Sequence, residues 1–284
     1  MSTSSPSRVW FITGTSQGFG LELVRVALHR GDTVVATSRR PDDVAATFPE
    51  AAASGKLLAV PLDLRDEKQI AQTVDAAAAK FGRLDVLVNN AGYGLYAAVE
   101  EATDDEIKAL YEVNVFGLLR VTRAVLPHMR KQRSGHVVNL SSMGGLVGFT
   151  GAGIYCSTKF AVEGLSATLA MEVAPLGIRV TVVEPGPFRT DFLGDSIAKT
   201  EKAIADYAET AGKARAAVAA RHGHQPGDPA AAAEAIVQAV LAEKPPLHLV
   251  LGKFAYDHAV KHLADMGAEL EAWRETTLGC DFKE

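Results

Sequence analysis

The segment Tyr155-Cys156-Ser157-Thr158-Lys159 sets a phenol four positions ahead of an ammonium. If the segment is helical, four residues make about one turn, or roughly 6 Å of rise, and the two side chains share a face. A phenol titrates at about 10, too high to exchange protons readily near neutrality. A nearby ammonium favours the phenolate and lowers that value. Ser142, thirteen residues upstream of the tyrosine and just past an apolar run, carries a hydroxyl able to hydrogen-bond a substrate oxygen. Such a set can pass a proton to or from an oxygen on a reacting carbon. Tyrosine and lysine at this spacing also occur on many surface helices, so the surroundings decide.

Thr13-Gly14-Thr15-Ser16-Gln17-Gly18-Phe19-Gly20 follows a first strand-like run, Val9 to Thr13, and opens a helical stretch. Glycines let a backbone approach a pyrophosphate closely, and a helix N-terminus offers it unpaired N–H groups and a partial positive charge. The spacing is G-xxx-G-x-G, not the G-x-G-x-x-G of the standard dinucleotide fingerprint. The second apolar run, Thr33 to Ser38, ends in Ser38-Arg39-Arg40. In a dinucleotide fold this end faces the adenosine ribose, where a carboxylate would bind the 2′-hydroxyl of NAD and repel the 2′-phosphate of NADP. Ser38 stands there instead, and the two guanidiniums that follow suit a phosphate in geometry and charge. NADP (as NADPH) is the expected cofactor.

The elements that must position these groups alternate along the chain. Strand-like runs recur near Lys56–Pro61, Leu84–Asn89, His136–Leu140 and Arg179–Val183, with helical stretches near 19–29, 66–80, 104–130, 154–173 and 229–242. Thr103 and Glu106 are spaced as a capping box, and Asp228-Pro229 reads as an N-cap followed by a first-turn proline. Strands apolar throughout are expected where helices cover both sheet faces, so the pattern predicts an α/β, doubly wound parallel sheet. Residues 1–7 read as a disordered tail. Residues 226–284 form a C-terminal extension (helix, apolar run Leu247–Leu251, final helix) expected to pack on the same single domain.

In order and spacing the motifs resemble the short-chain dehydrogenase/reductase family over roughly residues 8–192. They are the glycine loop (Gly14, Gly18, Gly20), Asn89-Asn90-Ala91-Gly92, Asn114, Ser142, Tyr155, Lys159, and Pro185-Gly186 with Thr190. The longer C-terminus resembles, more loosely, the steroid and retinol dehydrogenase subgroup. The resemblance implies a Rossmann-type, seven-stranded sheet in one domain. It implies Tyr155 as general acid in reduction and base in oxidation, and Lys159 holding the nicotinamide ribose. Ser142 would polarise the substrate oxygen and Asn114 would hold a water in the proton relay. Asp63 and Leu64 would border the adenine, and Asn90, Ala91 and Gly92 would let the cofactor pass. Pro185, Gly186 and Phe188 would flank the nicotinamide, with Thr190 on its carboxamide. Residues 190–222 lie where the family places a mobile lid, and members often pair through the helices near 104–130 and 154–173, giving a homo-oligomer.

Tyr93, Leu95, Met143, Phe149, Phe188 and Phe192 fall near the expected mouth and predict an apolar carbonyl or alcohol substrate. No basic cluster there announces an anionic one. His258 and His262 have a metal-compatible spacing but no third ligand in sequence, so no metal is expected. Cys156 and Cys280 read as reduced thiols of a cytoplasmic protein. The net charge of −5 argues against nucleic acid, and no apolar run reaches the roughly 20 residues of a spanning helix. A catalytically idle NADP-binding sensor, or an epimerase with resident cofactor, remains compatible with the same residues.

Overall fold

A computed structural model describes residues 7–194, 196–200 and 202–282; the tail expected at 1–7 lies, but for Ser7, outside them. Strands β1 (Val9–Thr13), β2 (Thr33–Ser38), β3 (Leu57–Pro61), β4 (Val86–Asn89), β6 (Gly135–Leu140), β7 (Ile178–Pro185) and β9 (His248–Leu251) form one parallel sheet in the order β3-β2-β1-β4-β6-β7-β9. Two short strands, β5 (Gly94–Tyr96) and β8 (Ile197–Lys199), pair beyond it. The sheet is the predicted seven-stranded, doubly wound one. Its strands are buried on both sides: Trp10 and Ile12 join one apolar cluster and Phe11 the other.

Helix α1 (Gly18–His29) covers the first face. Short helices α2 (Pro41–Thr47) and α3 (Pro49–Ala53), each opened by a proline, follow β2. The second face carries α4 (Glu67–Phe81), capped by the Asp66 carboxylate on the Gln69 N–H and closed by Gly82. It also carries α5 (Asp104–Tyr111), α6 (Leu118–Gln132) and α7 (Gly153–Val173). The capping box expected from Thr103 and Glu106 opens α5. Between α5 and α6, residues Glu112–Gly117 widen into a π-turn where the sequence predicts continuous helix.

Chain order reverses between β1 and β4: β2 and β3 lie to one side and the later strands to the other. A parallel sheet opens a crevice at the carboxyl ends of its strands at such a switch point. The glycine loop, Ser38, Asn90 and Ser142 all follow those ends.

Past β7, α8 (Lys213–Arg221) lies over the crevice and α9 (Pro229–Leu241) packs beside α1, with Ala233, Ile236 and Val237 in the first cluster. In the last part the structure departs from expectation. Of α10 (Lys253–Ala272), only Ala255 and Ala259 are buried, and from Leu263 to Phe282, α11 (Arg274–Leu278) included, every residue is exposed. The extension packs on the domain only as far as its final helix. Among the described residues no helix is long and apolar enough to cross a membrane.

Candidate active site

The glycine loop is held by strand β4. Thr13 Oγ1 accepts the Asn90 and Ala91 N–H groups at 3.0 and 3.1 Å, and Asn90 Nδ2 donates to the Thr13 and Gly14 carbonyls at 2.8 Å each. Gly14 has φ +70°, and a Cβ there would meet Ala91 Cα at 2.8 Å; one on Gly20 would lie 2.2 Å from the Gly14 oxygen. Only hydrogen fits at either position. Gln17, the N-cap of α1, makes no side-chain cap and spends its amide on Ser196 at 3.2 Å. Among the described residues the first N–H groups of α1 thus have no side-chain acceptor, and they stand beside a cavity lined by Gly14, Ser16, Gln17, Gly18 and Phe19. An anionic pyrophosphate fits that donor set. Thr15 and Gly20 are buried behind the loop, Thr15 Oγ1 donating to the Thr37 oxygen at 3.2 Å.

At the far end Ser38 and Arg39 line the cavity. Arg40 does not: its side chain is 71% exposed and pairs with Asp43 at 3.3 Å. Its N–H bonds Ser38 Oγ at 3.1 Å, so the part of Arg40 in this site is backbone. Asp63 lines the cavity beside Leu64, but Arg65 clasps its carboxylate through Nε at 2.9 Å and Nη2 at 2.6 Å. Those bonds pull its pKa down to about 2. Arg65, unremarked in the sequence, adds a second guanidinium to this rim; the only sequence signal was its place two residues beyond Asp63.

Tyr155, Ser142, Lys159, Ala91, Gly92, Asn90, Pro185, Gly186 and Thr190 all line the middle of the same cavity, about 1090 Å³ in volume. Gly144 brings the first two together: a Cβ there would lie 3.5 Å from both Ser142 Oγ and the Tyr155 ring. The Ser142 oxygen accepts the Gly144 N–H at 3.0 Å, which leaves its own hydrogen to donate. The Tyr155 ring packs against Phe192, centroids 5.7 Å apart. Lys159 Nζ stands 5.8 Å from the Tyr155 ring centroid and donates to the Leu140 oxygen at 2.8 Å; two further N–H bonds remain for a ligand.

Burial pushes the Tyr155 phenol above its ordinary value, and the neighbouring Ser142 hydroxyl opposes this. The same desolvation brings Lys159 down to about 8, with Glu163 working against it. In this state desolvation dominates, and the phenol is a protonated donor.

Asn114, on the π-turn, is buried beneath the cavity-lining Gly92, a Cβ on which would lie 3.1 Å from its Oδ1. Its Oδ1 accepts the Tyr93 N–H at 3.1 Å, and its Nδ2 donates to the Tyr93 oxygen at 2.9 Å and to Thr158 Oγ1 at 3.3 Å. Through these bonds it braces the Tyr93 backbone against α7.

Tyr93, Met143, Phe149, Phe188 and Phe192 line the remaining end, joined by Tyr96, Ala217, Val218 and Arg221. Leu95 does not: it is 1% exposed and belongs to the apolar cluster beneath. Arg221 is one basic side chain on an otherwise apolar rim, which the sequence could not place there. The segment expected as a lid is pinned through buried Glu101, which accepts the Ala98 and Ile204 N–H groups at 2.8 and 2.9 Å and pairs with Arg215 at 2.5 Å. These donors hold its carboxyl down to about 2.

Behind Lys159 lies a cluster that spacing gave no hint of. His248 Nδ1 bonds Glu184 Oε1 at 2.7 Å and lies 3.7 Å from Glu163 Oε2. Burial raises Glu163 to about 7 and Glu184 to about 8. His258, by contrast, gives its Nδ1 to the Phe254 oxygen at 2.8 Å and joins no ligand cluster among the described residues. Cys156 is buried with its thiol pushed up by desolvation, and Cys280 is exposed; both are free.

A glycine loop at a helix start, a crevice at a topological switch point and a tyrosine–serine–lysine group in one cavity define a Rossmann-type oxidoreductase architecture. Residues 8–201 match the model of the family described as short chain dehydrogenase, and the chain belongs to that family. It is 39% identical to oxidoreductase BOA17 of Botryotinia fuckeliana over 96% of this chain and 98% of that one. It is 38% identical to a 3-ketodihydrosphingosine reductase of Bacteroides thetaiotaomicron over 72% of each. A crystal structure of a short-chain dehydrogenase from Streptomyces avermitilis superposes with TM-score 0.90 at 44% identity, covering 98% of this chain and all of that one. A family structure from Burkholderia phymatum, in complex with NAD, shares the fold at TM-score 0.82 and 22% identity over 93% and 95% of the two chains.

Proposed function

We propose that this protein moves a hydride between NADP(H) and a carbonyl or secondary-alcohol carbon of an apolar small molecule, with Tyr155 as general acid and base. The observation that carries the reading is one cavity in which Tyr155 and Ser142 stand between a glycine-lined half and an apolar half. The glycine loop, the uncapped start of α1, and Lys159 would hold the dinucleotide. When bound, its nicotinamide supplies or accepts the hydride.

In reduction the buried Tyr155 O–H donates its proton to the substrate oxygen. Ser142, its own oxygen engaged by the Gly144 N–H, donates a second hydrogen bond to that oxygen and stabilises the charge developing there. Lys159 replaces lost positive potential beside the phenol as the proton leaves. Phe149, Phe192 and α8 exclude water around the reacting carbon. Oxidation runs through the same atoms in reverse. The name of the Bacteroides relative, a reductase of a keto compound, agrees with a ketone as substrate.

The choice of NADP rests on Ser38 in place of a carboxylate and on Arg39 at the cavity rim. Purified protein offered NADPH and NADH with a panel of aldehydes, ketones and diketones should turn over faster with NADPH. Arg39→Ala should cut that preference by about tenfold, the worth of one charge-assisted contact. Preference for NADH, or a preference that Arg39→Ala leaves intact, would contradict the cofactor assignment. NADPH binding without turnover on any substrate would favour the sensor or epimerase.

A further inference from the structure

Helix α10 runs off the body of the protein after two turns, and what it exposes is not polar. Tyr256, Val260, Leu263, Met266, Leu270 and Trp273 recur at three- and four-residue spacing and so form one stripe. Leu263 is 68% exposed and Trp273 66%. Nine of the fourteen large apolar side chains exposed among the described residues fall between 254 and 282, so this is not the scattered exposure of an ordinary surface. At about 100 Å² each, the six stripe residues make a patch of roughly 600 Å², more than monomers usually leave uncovered and near the roughly 800 Å² per partner of a standard interface.

The charges flanking the stripe say what covers it. Residues 253–262 hold two lysines and two histidines against one aspartate, whereas 263–282 hold one arginine against five acids. Glu269 and Glu271 make no ion pair among the described residues. Lys253 and Lys261 pair with Asp257 and Asp265 of their own helix, so the first end carries little net charge while the second is acidic. Two such helices repel less end for end, as in a two-fold dimer, than side by side in parallel. A parallel pair would set acid against acid.

We infer that α10 packs antiparallel along α10 of a second copy of this chain, with the stripe as the dimer's apolar seam. The seam begins beside the active site. Phe254 lines the catalytic cavity, and His258 stacks on its ring at 4.1 Å while lying 6.1 Å from Phe149. The second copy thereby steadies the substrate mouth of the first without entering it.

Light scattering on the eluting full-length protein tests this, with the double variant Leu263→Glu/Leu270→Glu alongside. The native protein should have at least twice the mass of one chain, and the variant half the native mass, with circular dichroism and NADPH binding unchanged. A native protein of single-chain mass, or a variant whose assembly is intact, would overturn the inference. Cross-linking tests the orientation. In a Cys280→Ser background, Met266→Cys, near the midpoint of the stripe, should form an intermolecular disulfide with its own kind and Tyr256→Cys should not. Disulfides from both would indicate a parallel pair and overturn the antiparallel arrangement.

Discussion

At Tyr155 two influences compete: desolvation keeps the phenol protonated, and Ser142 draws it toward the phenolate. Burial wins, so of the tyrosine and the lysine it is Lys159, at about 8, that titrates near neutrality. The lysine is charged below that value and neutral above it, so kcat/KM for reduction should be level below pH 8 and fall as pH rises through it. Glu163, one turn along α7, raises the lysine's value, and Glu163→Gln should shift the fall to lower pH. A profile whose inflection ignores that substitution would show that Lys159 does not set it. The tyrosine and lysine were legible because four-residue spacing on a helix is a strong geometric constraint. Their pKa directions were not, because desolvation depends on what covers them, and Phe192 reaches Tyr155 from far along the chain. Glu163, Glu184 and His248 escaped notice for the same reason: three different elements bring them together.

At the scale of elements, the strands read well. β1 and β2 begin and end where their apolar runs do. The capping box of α5 and the Asp228-Pro229 start of α9 also stand where local chemistry put them. The π-turn at Glu112–Gly117 had no local signal, since a widened turn is set by what the helix must pass, and Gly117 abuts Leu64: a Cβ there would lie 2.8 Å from the leucine's. Sequence placed Asn114 correctly in a helix, yet could not show that its amide would bond Tyr93 and Thr158. The glycine loop gives the element-scale prediction. A methyl on Gly20 meets the Gly14 oxygen, so Gly20→Ala should cost about 1–3 kcal/mol of stability and weaken NADPH binding by at least about tenfold. Gly148→Ala, where a Cβ meets nothing within 4 Å, serves as control in thermal melts and cofactor titration. Equal behaviour of the two variants would mean that the loop yields, and that its close packing is not what shapes the cofactor cradle.

Over the whole molecule, one sheet does two jobs. Its switch point opens the crevice, and its last strand, β9, ties the C-terminal part to the edge before α10 departs. The Glu101–Arg215 staple closes α8 over the apolar end, so that the glycine-lined half and the apolar half meet at Tyr155. Sequence had placed every C-terminal element on the body because too few apolar positions were evident for independent folding. It could not distinguish an apolar stripe that faces a neighbouring helix of the same chain from one that faces away. The proposed mechanism depends on Tyr155 transferring the proton. The most direct test compares Tyr155→Phe with the native protein in NADPH titration and in single-substrate turnover. The ring still packs on Phe192, so the dissociation constant for NADPH should stay within about threefold while kcat drops by about 10³, in the range of a lost general acid. Turnover near the native rate with binding intact would contradict the assignment of Tyr155 and, with it, the mechanism built around this cavity.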